Sequence, residues 1–313
     1  MREVTVIIPN YNGKKYLKNC LEALFERTET EMDVIVVDNA SKDESVKIAR
    51  EAFPQVNYLL LDKNHGFSKA VNEGIRMAKT PYVLLLNNDT EIQTGFVEAL
   101  LARIKTDKSI FSVEAKMLQY HAPEKIDSAG TFYNVFGWAR ARGKDEASSL
   151  YQEACETFAA CGGAAIYRRS VLEKLELFDE TFFAYLEDVD MGYRARIYGY
   201  KNLYEPLAQV LHVGSGTSGS RYNDFKVRIS ARNNIYLIYK NMPGWQQILN
   251  APFLLTGFGI KIVYFIKKGF LKPYVCGLKD GIELCRKSER FPQSSKYLRN
   301  HWKIQKILWM VKF

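Results

Sequence analysis

Three clusters in this chain hold side chains able to do chemistry. The first is Asp89, which closes the apolar run Leu84-Leu85-Leu86 by way of Asn87-Asn88. A carboxylate at the mouth of a buried strand is costly unless it binds something. A hard cation, Mg²⁺ or Mn²⁺, shared with a diphosphate would satisfy it. The second cluster is Glu187-Asp188-Val189-Asp190, set behind Phe182, Phe183 and Tyr185. On a helix Glu187 and Asp190 share a face and Asp188 points elsewhere. Apolar surroundings raise a carboxyl's pKa, which suits a general base; acids also favour a helix N-terminus with no further role. Asp188 and Asp190 have the spacing of a metal-binding pair as well, so this cluster competes with Asp89 for the cation. The third is His212, which follows Val210-Leu211 and precedes the Gly/Ser-rich residues 214–219, a stretch of the kind that covers phosphates. As a metal ligand His212 would complement Asp89; a lone histidine after a strand is otherwise structural.

These groups need a frame, and the first hundred residues supply one. Val4–Ile8, Val34–Val37, Val56–Leu61 and Tyr82–Leu86 are apolar runs. Between them apolar residues recur at helical spacing, as in Leu17, Cys20, Leu21 and Leu24, or Phe67, Ala70, Val71 and Ile75. Strands alternating with helices predict an α/β fold with a parallel sheet and right-handed crossovers. Each run ends in polar residues: Asn10-Tyr11-Asn12, Asp38-Asn39, Lys63-Asn64-His65 and Asn87-Asn88-Asp89. Turn formation explains one such cluster. Four in succession, at the carboxyl ends where parallel sheets bind ligands, point to a shared site.

Composition narrows the classes. With 313 residues, 47% hydrophobic and 25% charged, the chain is too apolar for disorder. Its five cysteines show no CxxC spacing, so reduced cytoplasmic thiols are expected rather than disulfides or structural zinc. The opening strand is too short for a secretory signal. GxxxxGK[ST], GxSxG and HExxH patterns are absent. Residues 214–219 match GxGxxG, but the stretch that follows is basic where a dinucleotide site needs an acid.

The net charge of +9 is unevenly spread. Residues 226–313 hold 17 Lys and Arg against 3 acids, whereas residues 1–225 hold 27 against 32. In the tail, basic residues alternate with Trp245, Phe258, Tyr264, Phe265, Phe270, Tyr274, Trp302 and Trp309. That mixture suits an anionic membrane surface or nucleic acid. The apolar run Ile248–Ile266, with Lys261 its only charge, favours the membrane, and no nucleic acid partner is expected. The run is nominally long enough to cross, but Asn250, Pro252, Gly257, Gly259 and Lys261 interrupt it. The basic residues beyond it belong on the cytoplasmic side. In-plane attachment is expected ahead of a re-entrant hairpin or soluble packing.

Five stretches then combine into a pattern. They are Val6-Ile7-Ile8-Pro9-Asn10-Tyr11-Asn12-Gly13, the segment from Val34 through Asp38 to Ser41, Asn64-His65-Gly66-Phe67-Ser68 on to Gly74, Leu84 through Asp89 to Thr90, and Cys161-Gly162-Gly163-Ala164 through Phe178-Asp179-Glu180 to Asp190. In this order they resemble family 2 glycosyltransferases, over roughly residues 3–240. The resemblance implies the GT-A fold, a Rossmann-like mixed, mostly parallel sheet flanked by helices. It implies a catalytic domain over residues 1–240, with a nucleotide-binding half to about 110 and an acceptor half beyond. Residues 241–313 follow as a basic, aromatic-rich helical extension that associates with a membrane. The implied activity is transfer from a nucleotide-sugar, with a divalent metal and inversion at the anomeric carbon.

The Asn-Asn-Asp form and the segment after His212 resemble the rhamnosyltransferase-like branch. That branch implies dTDP-L-rhamnose as donor and a glycan or polyprenyl-diphosphate-linked acceptor in cell-surface polysaccharide assembly. The expected location is cytoplasmic, peripheral to the inner face of the membrane. By position, Pro9, Asn10 and Tyr11 line the nucleoside pocket, and Asp38 accepts from the base N3–H. Asn64, Asn88, Gly163 and Arg232 complete the donor site, Asp89 and His212 hold the metal, and Asp188 is the general base. Asn87 and Asn88 replace acids of the family pattern, so metal binding leans on Asp89 and His212. The Gln-x-x-Arg-Trp of processive synthases is absent; Arg232-Asn233-Asn234 stands in the comparable region. That implies addition of one or a few sugars. A sugar nucleotidyltransferase would need an early Gly-rich basic loop beyond Gly13-Lys14-Lys15. A non-catalytic membrane- or nucleic-acid-binding homologue would not need Asp89, Asp188 and His212.

Overall fold

A computed structural model describes residues 2–214, 222–292 and 294–311. The Gly/Ser-rich stretch expected to cover phosphates lies, from residue 215 onward, outside the described residues. The first half alternates as its periodicity requires: β1 (Val4–Asn10), α1 (Leu17–Glu26), β2 (Met32–Asp38), α2 (Ser45–Ala52), β3 (Asn57–Leu60), α3 (Gly66–Met77) and β4 (Tyr82–Leu86). Then come β5 (Thr90–Ile92), α4 (Phe96–Lys105), β6 (Ile110–Gln119), β7 (Ala122–Ser128), β8 (Thr131–Tyr133), β9 (Ala139–Ala141), β10 (Cys155–Thr157) and β11 (Ala164–Arg168). The remainder is α5 (Arg169–Lys174), α6 (Glu187–Ile197), β12 (Lys201–His212), α7 (Asp224–Asn241), α8 (Gly244–Lys267), α9 (Leu271–Lys287) and α10 (Leu298–Met310).

The main sheet runs β3-β2-β1-β4-β11-β6-β12-β10. Strands β3, β2, β1 and β4 are parallel, β11 runs antiparallel to both its neighbours, and β12 is parallel to β6. Alternation along β1 sorts the core into two layers. Val4, Val6 and Ile8 face Leu17, Leu21 and Leu24 of α1 and Phe96 and Leu100 of α4. Ile7 faces Ala70, Val71 and Ile75 of α3. Strand order reverses between β1 and β4, which opens a crevice at their carboxyl ends.

The basic tail packs on this body. Leu254, Ile304 and Leu308 join the same core cluster as α6 and α7, and α7 lies along α9. The inward stripe of α8 is Gln246, Asn250, Leu254, Gly257 and Phe265, all buried. Gln246 accepts from the Tyr193 hydroxyl at 3.3 Å and donates to the His301 carbonyl at 2.9 Å. Asn250 and Gln305 exchange two bonds of 2.9 and 2.7 Å. Gly257 lets the helix approach closely: a Cβ there would lie 2.2 Å from the Phe136 carbonyl oxygen, whereas one at Gly259 meets open space. Gly257→Ala should therefore cost about 1–3 kcal/mol through overpacking. Gly259→Ala should be neutral or stabilising by up to about 1 kcal/mol through helix propensity. Thermal denaturation of the two variants checks the seating of α8.

Candidate active site

The polar residues at the ends of β1, β2 and β4 form one network at the crevice. Asn10 Nδ2 donates to Asp38 Oδ1 at 2.7 Å, and Asn10 Oδ1 accepts from Asn88 Nδ2 at 2.7 Å. All three side chains are buried. Asp38 also accepts from the Ser41 amide at 2.9 Å and the Ser41 hydroxyl at 2.5 Å, which fixes its carboxylate. Asn12 and Ala40 hold left-handed backbone, φ 52° and 58°. Their loops are tied together by Asn12 N to Ser41 Oγ and Lys42 N to Asn12 Oδ1, both 2.8 Å. Gly13 packs where a Cβ would strike both Asn10 and Asn88. Pro9 and Tyr11 are half-buried beside this network. Asn64 shapes the next loop by accepting from the Gly66 amide at 2.9 Å. Gly163 lies against Asn87, whose amide donates to the Gly163 carbonyl at 2.8 Å.

Asp89 and His212 meet although 123 residues separate them, because β5 pairs antiparallel with β12 and sets Thr90 opposite His212. His212 Nε2 lies 3.3 Å from Asp89 Oδ1, and its Nδ1 bonds Asp127 Oδ2 at 2.8 Å. Lys144 pairs with the other oxygen of Asp127. Burial pushes the imidazole's pKa down, but the hydrogen bonds to Asp127 and Asp89 outweigh it and hold the ring at about 9. Without a cation the ring is therefore an imidazolium between two carboxylates; a cation at Asp89 would displace its Nε2 proton while Asp127 keeps the other nitrogen oriented. The donor set thus fits a cation held by Asp89 and His212, with substrate oxygens completing its shell. Among the described residues no group of three or more His, Cys, Asp or Glu converges as a self-sufficient metal site.

Asp188 stands in the first turn of α6, with Glu187 and Asp190 turned away from it as helical spacing predicts. Asp190 is wholly buried and committed to Arg194 (2.7 Å), Lys240 (3.1 Å) and Asn241 (2.7 Å). It cannot pair with Asp188 on a cation, so the acidic cluster does not compete with Asp89. Asp188 accepts from the Val189 amide at 2.7 Å, and the Gly162 amide and Cys161 thiol lie near enough to pull its carboxyl's pKa down. Burial raises its carboxyl above the usual range, against the pull of those amides. Burial raises Glu187 further, helped by the charge on Asp188. The 161–163 turn joins the neighbourhood of Asp188 to the Asn87–Asp89 segment, since Cys161 and Gly162 lie near Asp188 and the Gly163 carbonyl accepts from the Asn87 amide.

The approach to Asp188 is strained. Phe183 sits at φ 63°, ψ −62°, the rare form of γ-turn, closed by Ala184 N to Phe182 O at 2.7 Å. Tyr185 and Leu186 both have φ of 70°. Such backbone persists only where its surroundings over-determine it. Asn233, wholly buried on α7, does so by donating to the carbonyls of Phe182 (2.9 Å), Ala184 (2.9 Å) and Tyr185 (2.7 Å). Arg232 adds bonds to the carbonyls of Thr181 (2.8 Å) and Phe182 (2.9 Å), so its guanidinium serves this loop. Opposite, a Cβ at Gly66 would lie 2.4 Å from the Phe183 carbonyl oxygen.

Asn233, Asp127 and Glu114 are the residues sequence reasoning missed. Glu114, buried in mid-strand, accepts from Ser128, Gly130 and the Cys161 amide (2.8 Å); burial lifts its carboxyl to about 7. An acid between Val113 and Ala115, in a strand rich in apolar residues, was a usable signal for it.

The model of glycosyl transferase family 2 matches residues 5–176, more than half of the chain. The chain belongs to this family. Among curated relatives, the glycosyltransferase GlyA of Streptococcus pneumoniae is 28% identical over 185 residues, 58% of this chain; the match spans only 26% of that longer protein. An N-acetylglucosaminyl-diphospho-decaprenol L-rhamnosyltransferase of Mycobacterium tuberculosis is 26% identical over 239 residues, covering 68% of this chain and 77% of that one. Solved structures share the fold. A mannosyltransferase of Pyrobaculum calidifontis, in complex with GDP-Man and Mn²⁺, covers 98% of this chain and 85% of its own at TM-score 0.55 and 18% identity. GalNAc-T7 with UDP, GalNAc and Mn²⁺ covers 76% and 48% at TM-score 0.62 and 18% identity. The expected GT-A architecture is therefore the observed one.

Proposed function

We propose that the chain moves a sugar from a nucleotide-sugar to a hydroxyl of a glycan or lipid-linked acceptor, with inversion at the anomeric carbon. The observation that carries this reading is the meeting, at one crevice, of the Asn10–Asp38–Asn88 network, the Asp89–His212 pair and the elevated carboxyl of Asp188. Asp38 and Asn10 hold the nucleoside; Pro9, Tyr11, Asn64 and Gly163 shape its pocket. Asp188 takes the proton of the attacking hydroxyl, and its raised pKa matches that task. An inverting displacement needs one base and no covalent enzyme intermediate. Asp89 and His212 face the diphosphate, where a bound Mg²⁺ or Mn²⁺ supplies charge stabilisation to the leaving group. The Mn²⁺ in the two related structures supports that cation. Likeness to the mycobacterial enzyme supports dTDP-L-rhamnose as donor and a prenyl-diphosphate-linked acceptor.

The enzyme acts at the cytoplasmic face of a membrane, attached through residues 241–313. Support comes from α8, which leaves Ile248 78% and Leu255 72% exposed, with Ile260, Val263 and Ile266 beside them. Exposed Lys267, Lys268 and Lys272 follow. An apolar helix face ending in cations suits an anionic bilayer surface. The chain should sediment with phosphatidylglycerol vesicles at low salt and be released by high salt. Recovery in the supernatant at low salt would contradict attachment.

Calorimetry with the nucleoside diphosphate tests the division of roles at the donor site. Asp38→Ala should weaken binding with or without EDTA. Asp89→Ala should weaken it only when Mn²⁺ is present. Losing one buried hydrogen bond to a charged group is worth about 1.5–3 kcal/mol, or tenfold and more in affinity. Equal losses for both variants under both conditions would undo the assignment.

A further inference from the structure

The inward stripe of α8 has a gap in its logic. Gln246, Asn250, Leu254, Gly257 and Phe265 are buried, and the two polar members among them are fully bonded to α6 or α10. Lys261 occupies the stripe one turn from Gly257 and one turn from Phe265. It is partly buried and, among the described residues, has neither an ion pair nor a side-chain hydrogen bond. Burial alone pushes its ammonium down to about 8. An apolar residue, like most of α8, would avoid the cost of desolvating an unpaired cation.

Two walls flank this turn, and both lead to Asp188. On one side Trp138, in the β8–β9 connection, donates from its indole to the Gly257 carbonyl at 3.2 Å. That hairpin begins at Gly130, whose amide bonds Glu114 beside Asp188. On the other side Tyr222 meets the rings of Phe265 and Tyr264. Three residues on, Phe225 of α7 packs edge-on against Phe183 in the strained loop before Asp188. The outward face of α8 is apolar. Lys261 thus lies on a helix with an apolar outward face, and the contacts flanking its turn run by two routes toward the loop and strands around the base.

The geometry points to Lys261 as an anion site that takes the phosphate of a lipid-linked acceptor, with its chain toward the apolar face of α8 and its sugar toward Asp188. The assignment rests on the acceptor reading above. In such an acceptor the phosphate lies between lipid and sugar, which is the position this assignment gives to Lys261. A lipid headgroup phosphate offers the same chemistry, and the test separates the two.

The full chain is titrated by calorimetry with farnesyl diphosphate and with farnesol, as wild type, Lys261→Met and Lys261→Arg. Lys261→Met keeps the volume and removes the buried charge, so its melting temperature should not fall, and lost binding then reports the site rather than the fold. The expected result is farnesyl diphosphate affinity about tenfold weaker or worse in Lys261→Met, near wild type in Lys261→Arg, and farnesol binding alike in all three. Equal affinity for the diphosphate in wild type and Lys261→Met, or binding in neither, overturns the site. Loss of phosphatidylglycerol vesicle binding with farnesyl diphosphate affinity intact makes Lys261 a headgroup contact and also overturns it. Donor hydrolysis, measured alongside, separates the two readings: if wild type hydrolyses no donor while Lys261-dependent binding persists, glycosyl transfer fails and the anion site stands.

Discussion

Asp188→Asn should lower sugar transfer by about 10²–10⁴-fold, the usual worth of a positioned base. Donor affinity should stay within about twofold, because the nucleotide contacts proposed above lie at the ends of β1, β2 and β4. The pH profile adds a second readout. Asp188 acts as its carboxylate, and burial raises its carboxyl, so the acid limb of kcat/KM should lie above the range of an exposed aspartate. Rate should climb as pH rises through that limb, and the limb should disappear from the residual activity of Asp188→Asn. Glu187 is raised further than Asp188 and is uncharged while Asp188 ionises, so Glu187→Gln should leave the limb in place and turnover largely intact. Near-normal activity in Asp188→Asn, with activity lost in Glu187→Gln, would move the base to Glu187.

The second large effect is expected at a residue that touches no reacting atom. Asn233→Ala removes three bonds from the loop that delivers Asp188 and frees backbone held at φ 63° and 70°. At about 1 kcal/mol per bond, the chain should lose about 2–3 kcal/mol of stability. Turnover should fall by about tenfold to a hundredfold, the cost of misplacing a catalytic group by about 1 Å. KM for the donor should hold, and Asn233→Asp should not rescue, since a carboxylate repels the carbonyls it would face. A lower melting temperature with unchanged kcat would reduce Asn233 to a structural role.

The two halves of the molecule were unequally legible. Strands β1, β2 and β4 are buried on both faces, so they read as continuous apolar runs, and the polar residues ending them fall at the crevice; β3, at the sheet edge, is partly exposed. Asn10, Asp38 and Asn88 were found because local sequence places them there. Asp127 and Glu114 were missed because they reach the site through the antiparallel excursion of β6 and β7, which carries no motif. Asn233 stood in a stretch noted for an absent motif, and its role depends on a loop 48 residues earlier. Arg232 was expected at the donor, yet its guanidinium is taken by the Thr181 and Phe182 carbonyls. Periodicity cannot report which carbonyl a side chain will meet. The competition between the two acidic clusters was likewise open in sequence; Arg194 and Lys240 closed it by binding Asp190.

Proton NMR of the anomeric signal tests inverting transfer from a nucleotide-sugar with Asp188 as base. The full chain would be incubated with UDP-, dTDP- and GDP-sugars and Mn²⁺, with an acceptor glycan present. One donor should be consumed, the new anomeric configuration should be opposite to the donor's, and the signal should vanish in Asp188→Asn. Retention of configuration, or a product signal undiminished in Asp188→Asn, would contradict it.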